Sequence, residues 1–213
     1  MGGVADAPLR ARMRGEDAVR ADRALPLGMP PMCKEVIMEL MEAINTRRSC
    51  RSYTDEPVAE DDIVKILKAA NAAPVAMHDW DAVALSVITD RTVIDRVDSL
   101  MGAGSGRMGN GPTYRAPAFV IVSAEADEVG TGTAYCNAAC IIENMMLAAT
   151  GLGLGSGYIL GVVRGLQKHP ELFAALGIPD GFLPVSAMTL GHPAQPIDGR
   201  EPTTANIRTT FVG

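Results

Sequence analysis

The chain has 213 residues, a formal net charge of −6 and 47% hydrophobic residues. This composition is that of a globular protein of one or two domains, and it excludes disorder over most of the length. The acidic balance disfavours nucleic-acid binding, and no apolar run reaches the roughly 18 residues that span a bilayer. Four scattered cysteines are too few for a disulfide framework and favour a reducing, cytoplasmic compartment. No Cys/His set has metal-ligand spacing, so we predict no metal site.

Residues 1–31 differ in composition from the rest of the chain. They mix five arginines with four acidic residues and show weak apolar periodicity. A secretory signal needs a continuous apolar stretch, and a mitochondrial presequence is poor in acids, so neither fits. We predict a disordered N-terminal extension over residues 1–31 and one folded domain over residues 32–213.

Apolar periodicity places the first elements of the body. Ile37, Leu40, Met41 and Ile44 recur at i, i+3, i+4 and i+7, which predicts an amphipathic helix. Acidic residues begin a second predicted helix over 60–72, where the helix dipole favours them. The next predicted elements are a strand over 83–90, a short helix over 93–101, a glycine-rich loop over 102–112 and a buried strand over 118–123.

The longest predicted helix begins at a cap formed by Thr131 or Thr133, reaches about Thr150, and is apolar nearly all round. Such a helix must be covered by a core or by a second subunit. Cys136 and Cys140 share one face of it, and we interpret them as small core residues. The remaining predicted elements are a glycine-rich turn over 151–157, a strand over 158–163, a helix over 166–176 and a strand over 184–190. Helices and strands mixed without a strict βαβ repeat predict an α+β fold, one sheet packed by helices.

The strongest polar feature is the run Arg47, Arg48, Ser49 and Arg51. Guanidinium groups pair with phosphate oxygens in a bidentate manner, so this run is a candidate phosphate site. Cations also suit the end of a helix, so the residues alone leave a solvated charge run as an equal alternative. The chain has neither a Gly-x-Ser-x-Gly elbow nor a Walker A pattern, so no hydrolase or nucleotide triphosphatase is predicted.

Several segments in a fixed order distinguish these alternatives. They are residues 47–53 (RRSCRSY), 69–74 (AANAAP), 138–149, 151–156, 176–181 and 190–193. Together they resemble the nitroreductase family of FMN-dependent oxidoreductases over residues 36–200. The resemblance implies an α+β fold with a mostly antiparallel sheet. It also implies a homodimer with the long helix at its centre and two FMN sites at the subunit interface.

The arginine run acquires roles through this resemblance. Arg47, Ser49 and Arg51 match the family positions that hold the FMN phosphate, the ribityl chain and the pyrimidine edge. Arg48 matches a position that is often Arg or His, where a backbone contact is expected. Arg200 resembles the late basic residue that meets the phosphate, and Arg208 is the alternative for that role.

Other residues match positions around the flavin ring. Leu160 and Gly161 match the backbone turn whose N–H faces flavin N5, and Asn110 is a candidate for a family asparagine near the ring. Pro74 matches a proline whose segment contacts the flavin of the other subunit. The segment over 74–80 is shorter than usual and lacks the family's Ser and Asn. His78 within it is either a loop residue or a group acting over the flavin.

The implied activity is that of an NAD(P)H-dependent oxidoreductase. FMN accepts a hydride from NADH or NADPH and then reduces a small oxidant, such as a nitroaromatic or a quinone, in a ping-pong sequence. The flavin carries the chemistry, so no catalytic acid or base is predicted among the side chains. Two alternatives stay open: a flavin-binding module without NAD(P)H turnover, and a specialised branch for dehalogenation, azoline oxidation or flavin breakdown.

Overall fold

The computed structural model describes residues 38–100, 111–201 and 203–212. They belong to one compact unit, Met38–Gly213. The predicted extension over 1–31 and most of the predicted glycine-rich loop lie outside these ranges. Within them, no helix combines the length and the hydropathy that crossing a membrane requires.

Ten helices and strands and two short 3-10 turns build the described part of the chain. The helices are α1 Leu40–Thr46, α2 Glu60–Asn71, α3 Arg91–Leu100, α4 Ala126–Val129, α5 Thr133–Gly151 and α6 Gly161–Leu166. The strands are β1 Val83–Ile88, β2 Ala118–Glu125, β3 Gly155–Tyr158 and β4 Phe182–Gly191, and the 3-10 turns are Ala76–His78 and Pro170–Leu172.

The four strands form one antiparallel sheet in the order β1-β2-β4-β3. Alternate residues of β2 enter two different cores, because successive side chains point to opposite faces. Val120 and Val122 pack with α2 and α5, whereas Phe119 and Ile121 pack with α3 and α6. The sheet is therefore covered by helices on both faces, and the predicted α+β class is confirmed.

Two predicted elements are wrong, and both follow the glycine-rich segment. The strand lies at β3, three residues before the predicted 158–163, and α6 begins at Gly161 inside that range. The predicted helix over 166–176 is also wrong, because α6 ends at Leu166 and a 3-10 turn follows. Pro170 begins that turn, and proline cannot donate the hydrogen bond that would continue an α-helix.

Helix α5 is where predicted, but one face of it is open. Seven of its residues are buried: Ala134, Ala138, Ile141, Ile142, Met145, Met146 and Ala149. Cys136 and Cys140 lie on the exposed side, so their interpretation as core residues is wrong. A single chain covers only the stripe that faces the sheet and α2. The predicted cap at Thr131 or Thr133 is wrong, because the N-cap is Gly132 in the left-handed region, although the Thr131 hydroxyl accepts the Thr133 N–H at 3.2 Å.

Candidate functional site

The segment after α1 carries the arginine run along the edge of β3. The Cys50 N–H donates to the Ser156 carbonyl at 2.8 Å, and Ser49 forms a parallel bridge with Ser156. The Tyr53 hydroxyl donates to the Cys50 carbonyl at 3.0 Å and lies 2.8 Å from Thr189 Oγ1. Burial raises the pKa of Tyr53 well above its ordinary value, so its hydroxyl stays protonated and fixes this turn.

Two glycines of β3 allow this close approach. A Cβ on Gly155 would lie 2.8 Å from Cys50 Sγ, and a Cβ on Gly157 would lie 2.8 Å from Thr189 Oγ1 and 3.0 Å from the Cys50 carbonyl oxygen. Contacts that short force a neighbour to move. The glycine-rich segment therefore does more than end α5, because it allows the arginine run to pack against the sheet.

Beside this segment lies a depression of about 510 Å³, here called the arginine pocket. Its lining residues are Arg47, Arg48, Ser49, Arg51, Pro196, Ile197, Asp198 and Arg200. Four arginines and one acidic residue line it, so the pocket is suited to an anion with several acceptor oxygens, such as a phosphate.

Three of these arginines have protein partners. Arg48 donates through Nε to the Asp198 carbonyl at 3.2 Å and through Nη2 to the Gly199 carbonyl at 3.1 Å. Arg200 Nη2 donates to the Ile44 carbonyl at 3.3 Å. Arg47 Nε lies 3.5 Å from Glu143 Oε1 on α5. The contacts of Arg48 and Arg200 hold residues 198–200 against the end of α1, and that of Arg47 links the same end to α5.

Arg51 differs from the other three arginines. Its side chain forms neither an ion pair nor a hydrogen bond with any residue in the described ranges, and it is exposed. It lines the arginine pocket and also a second, larger cavity. Its five N–H donors are therefore available to a ligand.

The second cavity, here called the β3–α6 cavity, has a volume of about 530 Å³. It is lined by Ser49, Cys50, Arg51, Pro112, Tyr114, residues 157–162, Arg164, Gly165 and Lys168. Ser49 and Arg51 belong to both linings, so the two spaces adjoin. The N–H groups of Leu160 and Gly161 have no backbone acceptor within the described part of the chain. The cavity thus offers cations and backbone donors, and no carboxylate of the described residues lines it.

The structure brings most of the predicted site residues together. Arg47, Arg48, Ser49, Arg51 and Arg200 share the arginine pocket, while Leu160 and Gly161 share the β3–α6 cavity with Ser49 and Arg51. Other predicted residues lie elsewhere: Pro74, His78 and Arg208 are exposed and line neither space, and Asn110 lies outside the described residues.

Sequence reasoning missed four residues. Tyr53 fixes the arginine run, and Tyr158, Arg164 and Lys168 line the larger cavity. The spacing of Arg164 and Lys168, four residues apart, could have indicated a shared helical face. The role of Tyr53 could not have been found in this way, because its partner Thr189 lies 136 residues away.

Comparison with known proteins agrees with this architecture. The model of the Nitroreductase family matches residues 44–192. A protein of Archaeoglobus fulgidus, named for NAD(P)H nitroreductase activity, is 33% identical over 161 residues, 73% of this chain and 86% of its own length. An FMN reductase [NAD(P)H] of Bacillus subtilis is 28% identical over 175 residues, 73% of this chain and 66% of its own.

Solved structures show the same fold. A nitroreductase of Bacteroides fragilis with bound FMN is 26% identical, with a TM-score of 0.67, over 81% of this chain and 99% of that one. A nitroreductase of Desulfitobacterium hafniense shares the fold at 21% identity and a TM-score of 0.70, over 81% and 98% of the two chains. The class is therefore that of an α+β oxidoreductase. The chain belongs to the nitroreductase family.

Proposed function

We propose that this chain is an FMN-dependent oxidoreductase that takes a hydride from NADH or NADPH and reduces a small oxidant, such as a nitroaromatic or a quinone, by a ping-pong sequence. One observation carries the proposal: the arginine pocket and the β3–α6 cavity adjoin at Ser49 and Arg51. A ligand with a phosphate at one end and a flat ring at the other has the shape and charge to occupy both. The Bacteroides fragilis relative binds FMN, which has these two ends.

The residues present fit this cofactor. Arg47, Ser49 and Arg200 would hold the phosphate, with Arg48 bracing the pocket wall. Arg51 would face the pyrimidine edge, and the N–H groups of Leu160 and Gly161 would meet acceptors on the ring. When bound, the flavin supplies the hydride-transfer chemistry, and the protein supplies binding and orientation.

Arg51 also places a positive charge at the proposed flavin site. Among the residues that the structure describes, it is the cation that lines both spaces, and no carboxylate lines the β3–α6 cavity. A fixed positive charge beside a group that gains negative charge on reduction lowers the energy of the reduced form. This role needs no protonation change on the protein, in line with the absence of a catalytic acid or base from our assignment.

We further propose that the chain acts as a homodimer in the cytoplasm. Tyr135, Cys136 and Cys140 leave one side of α5 open, and Met41 and Phe211 are 61% and 95% exposed. A second copy would cover this apolar surface. Pro74 would act at the partner's flavin, which accounts for its position outside both spaces, and Asn110 would act near the flavin ring. The free thiols of Cys50, Cys136 and Cys140 suit a reducing compartment.

Visible absorption tests the function directly. The purified protein is expected to show flavin bands that bleach when NADH or NADPH is added under argon and return when a quinone is added. Light scattering on the same sample should give twice the mass of one chain. Flavin bands that neither nucleotide bleaches would favour the binding module or a specialised branch. A colourless protein that does not take up FMN would remove the assignment.

A further inference from the structure

Helix α6 and the turn that follows it present one face to the β3–α6 cavity. Gly161, Arg164, Gly165 and Lys168 all line that cavity, and they are spaced i, i+3, i+4 and i+7. This spacing puts all four on one side of a helix. A Cβ on Gly161 would meet nothing within 4 Å, so there is open space beside the backbone at this position. The two basic side chains therefore border the cavity beside an open stretch of backbone.

The backbone that carries these two residues is well anchored. The Gln167 N–H donates to the Val163 carbonyl at 3.0 Å and the Lys168 N–H to the Gly165 carbonyl at 2.9 Å, so the turn continues past Leu166. The Gln167 side chain donates to the Pro184 carbonyl at 2.8 Å and ties this turn to β4. Arg164 and Lys168 thus project from a fixed support, as a recognition element requires.

Neither basic side chain has a partner in the part of the chain that the structure describes. Among the residues that the structure describes, Arg164 and Lys168 form no ion pair and no side-chain hydrogen bond. With Arg51 they make three cations around one cavity that no acidic residue of the described ranges lines, in a protein whose net charge is −6. Like charges placed around one cavity repel each other, and a bound anion relieves that repulsion.

The cofactor phosphate does not account for this second set of cations. Arg47, Arg48 and Arg200 line the arginine pocket and not the β3–α6 cavity, whereas Arg164 and Lys168 line the cavity and not the pocket. The oxidants of the proposed reaction, nitroaromatics and quinones, need not carry a negative charge. Among the substrates of the proposed function, the reductant always carries phosphates.

We propose that Arg164 and Lys168 bind the phosphate groups of the NAD(P)H that enters the β3–α6 cavity. The inference rests on the proposed function and names the substrate that these residues select. Each contact is a charge-assisted hydrogen bond from a guanidinium or ammonium group to a phosphate oxygen. No bond is made or broken in this recognition.

The test compares the FMN-loaded double variant Arg164→Ala/Lys168→Ala with a matched control, Lys68→Ala/Arg96→Ala. The control removes the same charge from exposed positions that line neither the pocket nor the cavity. Three quantities are measured in each protein: the flavin content, the KM for NADH and for NADPH, and the rate with N-benzyl-dihydronicotinamide, a hydride donor without phosphates. Calorimetric titration with ADP-ribose gives a binding constant that needs no turnover.

We expect the double variant to keep its flavin and its rate with the phosphate-free donor. Its KM for at least one nucleotide and its Kd for ADP-ribose should each rise about tenfold or more, which corresponds to about 1.4 kcal/mol or more. Nucleotide KM values equal to those of the control would overturn the inference, as would a change confined to the KM of the oxidant. A wild-type protein that holds FMN but is reduced by neither nucleotide would instead contradict the proposed function.

Discussion

The arginine pocket and the β3–α6 cavity hold their cations in different ways. In the pocket, Arg48 and Arg200 donate to backbone carbonyls and Arg47 lies beside Glu143. In the cavity, Arg51, Arg164 and Lys168 have no such partners within the described residues. An arginine that already donates to the protein braces the wall of a site, whereas an unpartnered one is available to a ligand. The comparison therefore distinguishes cations that brace the wall of a site from cations that are available to a ligand, although the sequence alone presents them all as alike.

Arg51 should give the largest effect on cofactor binding. Arg51→Ala removes the unpartnered cation that lines both spaces, and a hydrogen bond to a charged group is worth about 1.5–3 kcal/mol. FMN should therefore bind about 10–100-fold more weakly, measured by fluorescence titration of the apoprotein. Arg96→Ala serves as the control, because Arg96 is exposed and lines neither space. Unchanged FMN affinity in Arg51→Ala would contradict the assignment.

Substitution of Gly157 tests whether the packing of the arginine run against β3 matters as much for FMN affinity as the arginine side chains themselves. In Gly157→Ala the new Cβ would press on Thr189 Oγ1 and the Cys50 carbonyl, at a cost of about 1–3 kcal/mol in unfolding free energy. FMN affinity should fall with it, because the run is displaced. Gly151→Ala, where nothing lies within 4 Å, is the matched control and should be neutral or slightly stabilising. Equal stability of the two variants in urea would refute this view of β3.

Tyr53 holds the same run through hydrogen bonds. Tyr53→Phe leaves the Cys50 carbonyl without its side-chain donor, and we expect a loss of about 1–2 kcal/mol in unfolding free energy at neutral pH.

The raised pKa of Tyr53 adds a pH dependence to the same variant. Because the folded protein keeps this proton longer than the unfolded chain, the stabilisation is complete below the unfolded pKa of about 10 and declines as the pH rises above it. Tyrosinate absorbance should show one of the four tyrosines titrating only with unfolding. This component should be absent from Tyr53→Phe, and its persistence would mean that another tyrosine carries it.

The smallest expected effect on FMN affinity concerns Arg200 and Arg208, the two candidates for the late basic residue that meets the phosphate. Arg200 lines the arginine pocket but already donates to the Ile44 carbonyl, so Arg200→Ala should weaken FMN binding less than Arg51→Ala does. Arg208 is exposed and lines neither space, so Arg208→Ala should leave the FMN affinity unchanged. The reverse order in the same titration would assign the role to Arg208.

The sequence predicted the parts of the fold that local patterns determine. Helical periodicity located α2, and continuous apolar runs of helix or strand length located α5 and β2. The prediction failed at β3, since Gly155 and Gly157 are compatible with a strand only because a distant segment packs against them. The interpretation of Cys136 and Cys140 as core residues was wrong because hydropathy indicates that an apolar surface must be covered, but not whether the core or a second subunit covers it.

The candidate site was predictable to a similar extent. The arginine run was visible as a charge cluster, and the resemblance supplied roles for Leu160, Gly161 and Arg200, which the fold brings into the same two spaces. The joining of those spaces at Ser49 and Arg51 depends on tertiary packing. Tyr53 could not be assigned for the same reason, because both its hydroxyl contacts exist only in the folded chain.

The open face of α5 would report on the proposed homodimer through the cysteines that it carries. Cys136 and Cys140 are exposed in the single chain, whereas Cys50 is buried. In a Cys33→Ser background, a thiol-reactive dye should label the two helix cysteines quickly in dilute, dissociated chains and slowly where a second copy covers them. Cys50 should react only on unfolding. Alkylation rates at several protein concentrations would thus measure the dissociation constant of the proposed homodimer through the protein's own cysteines.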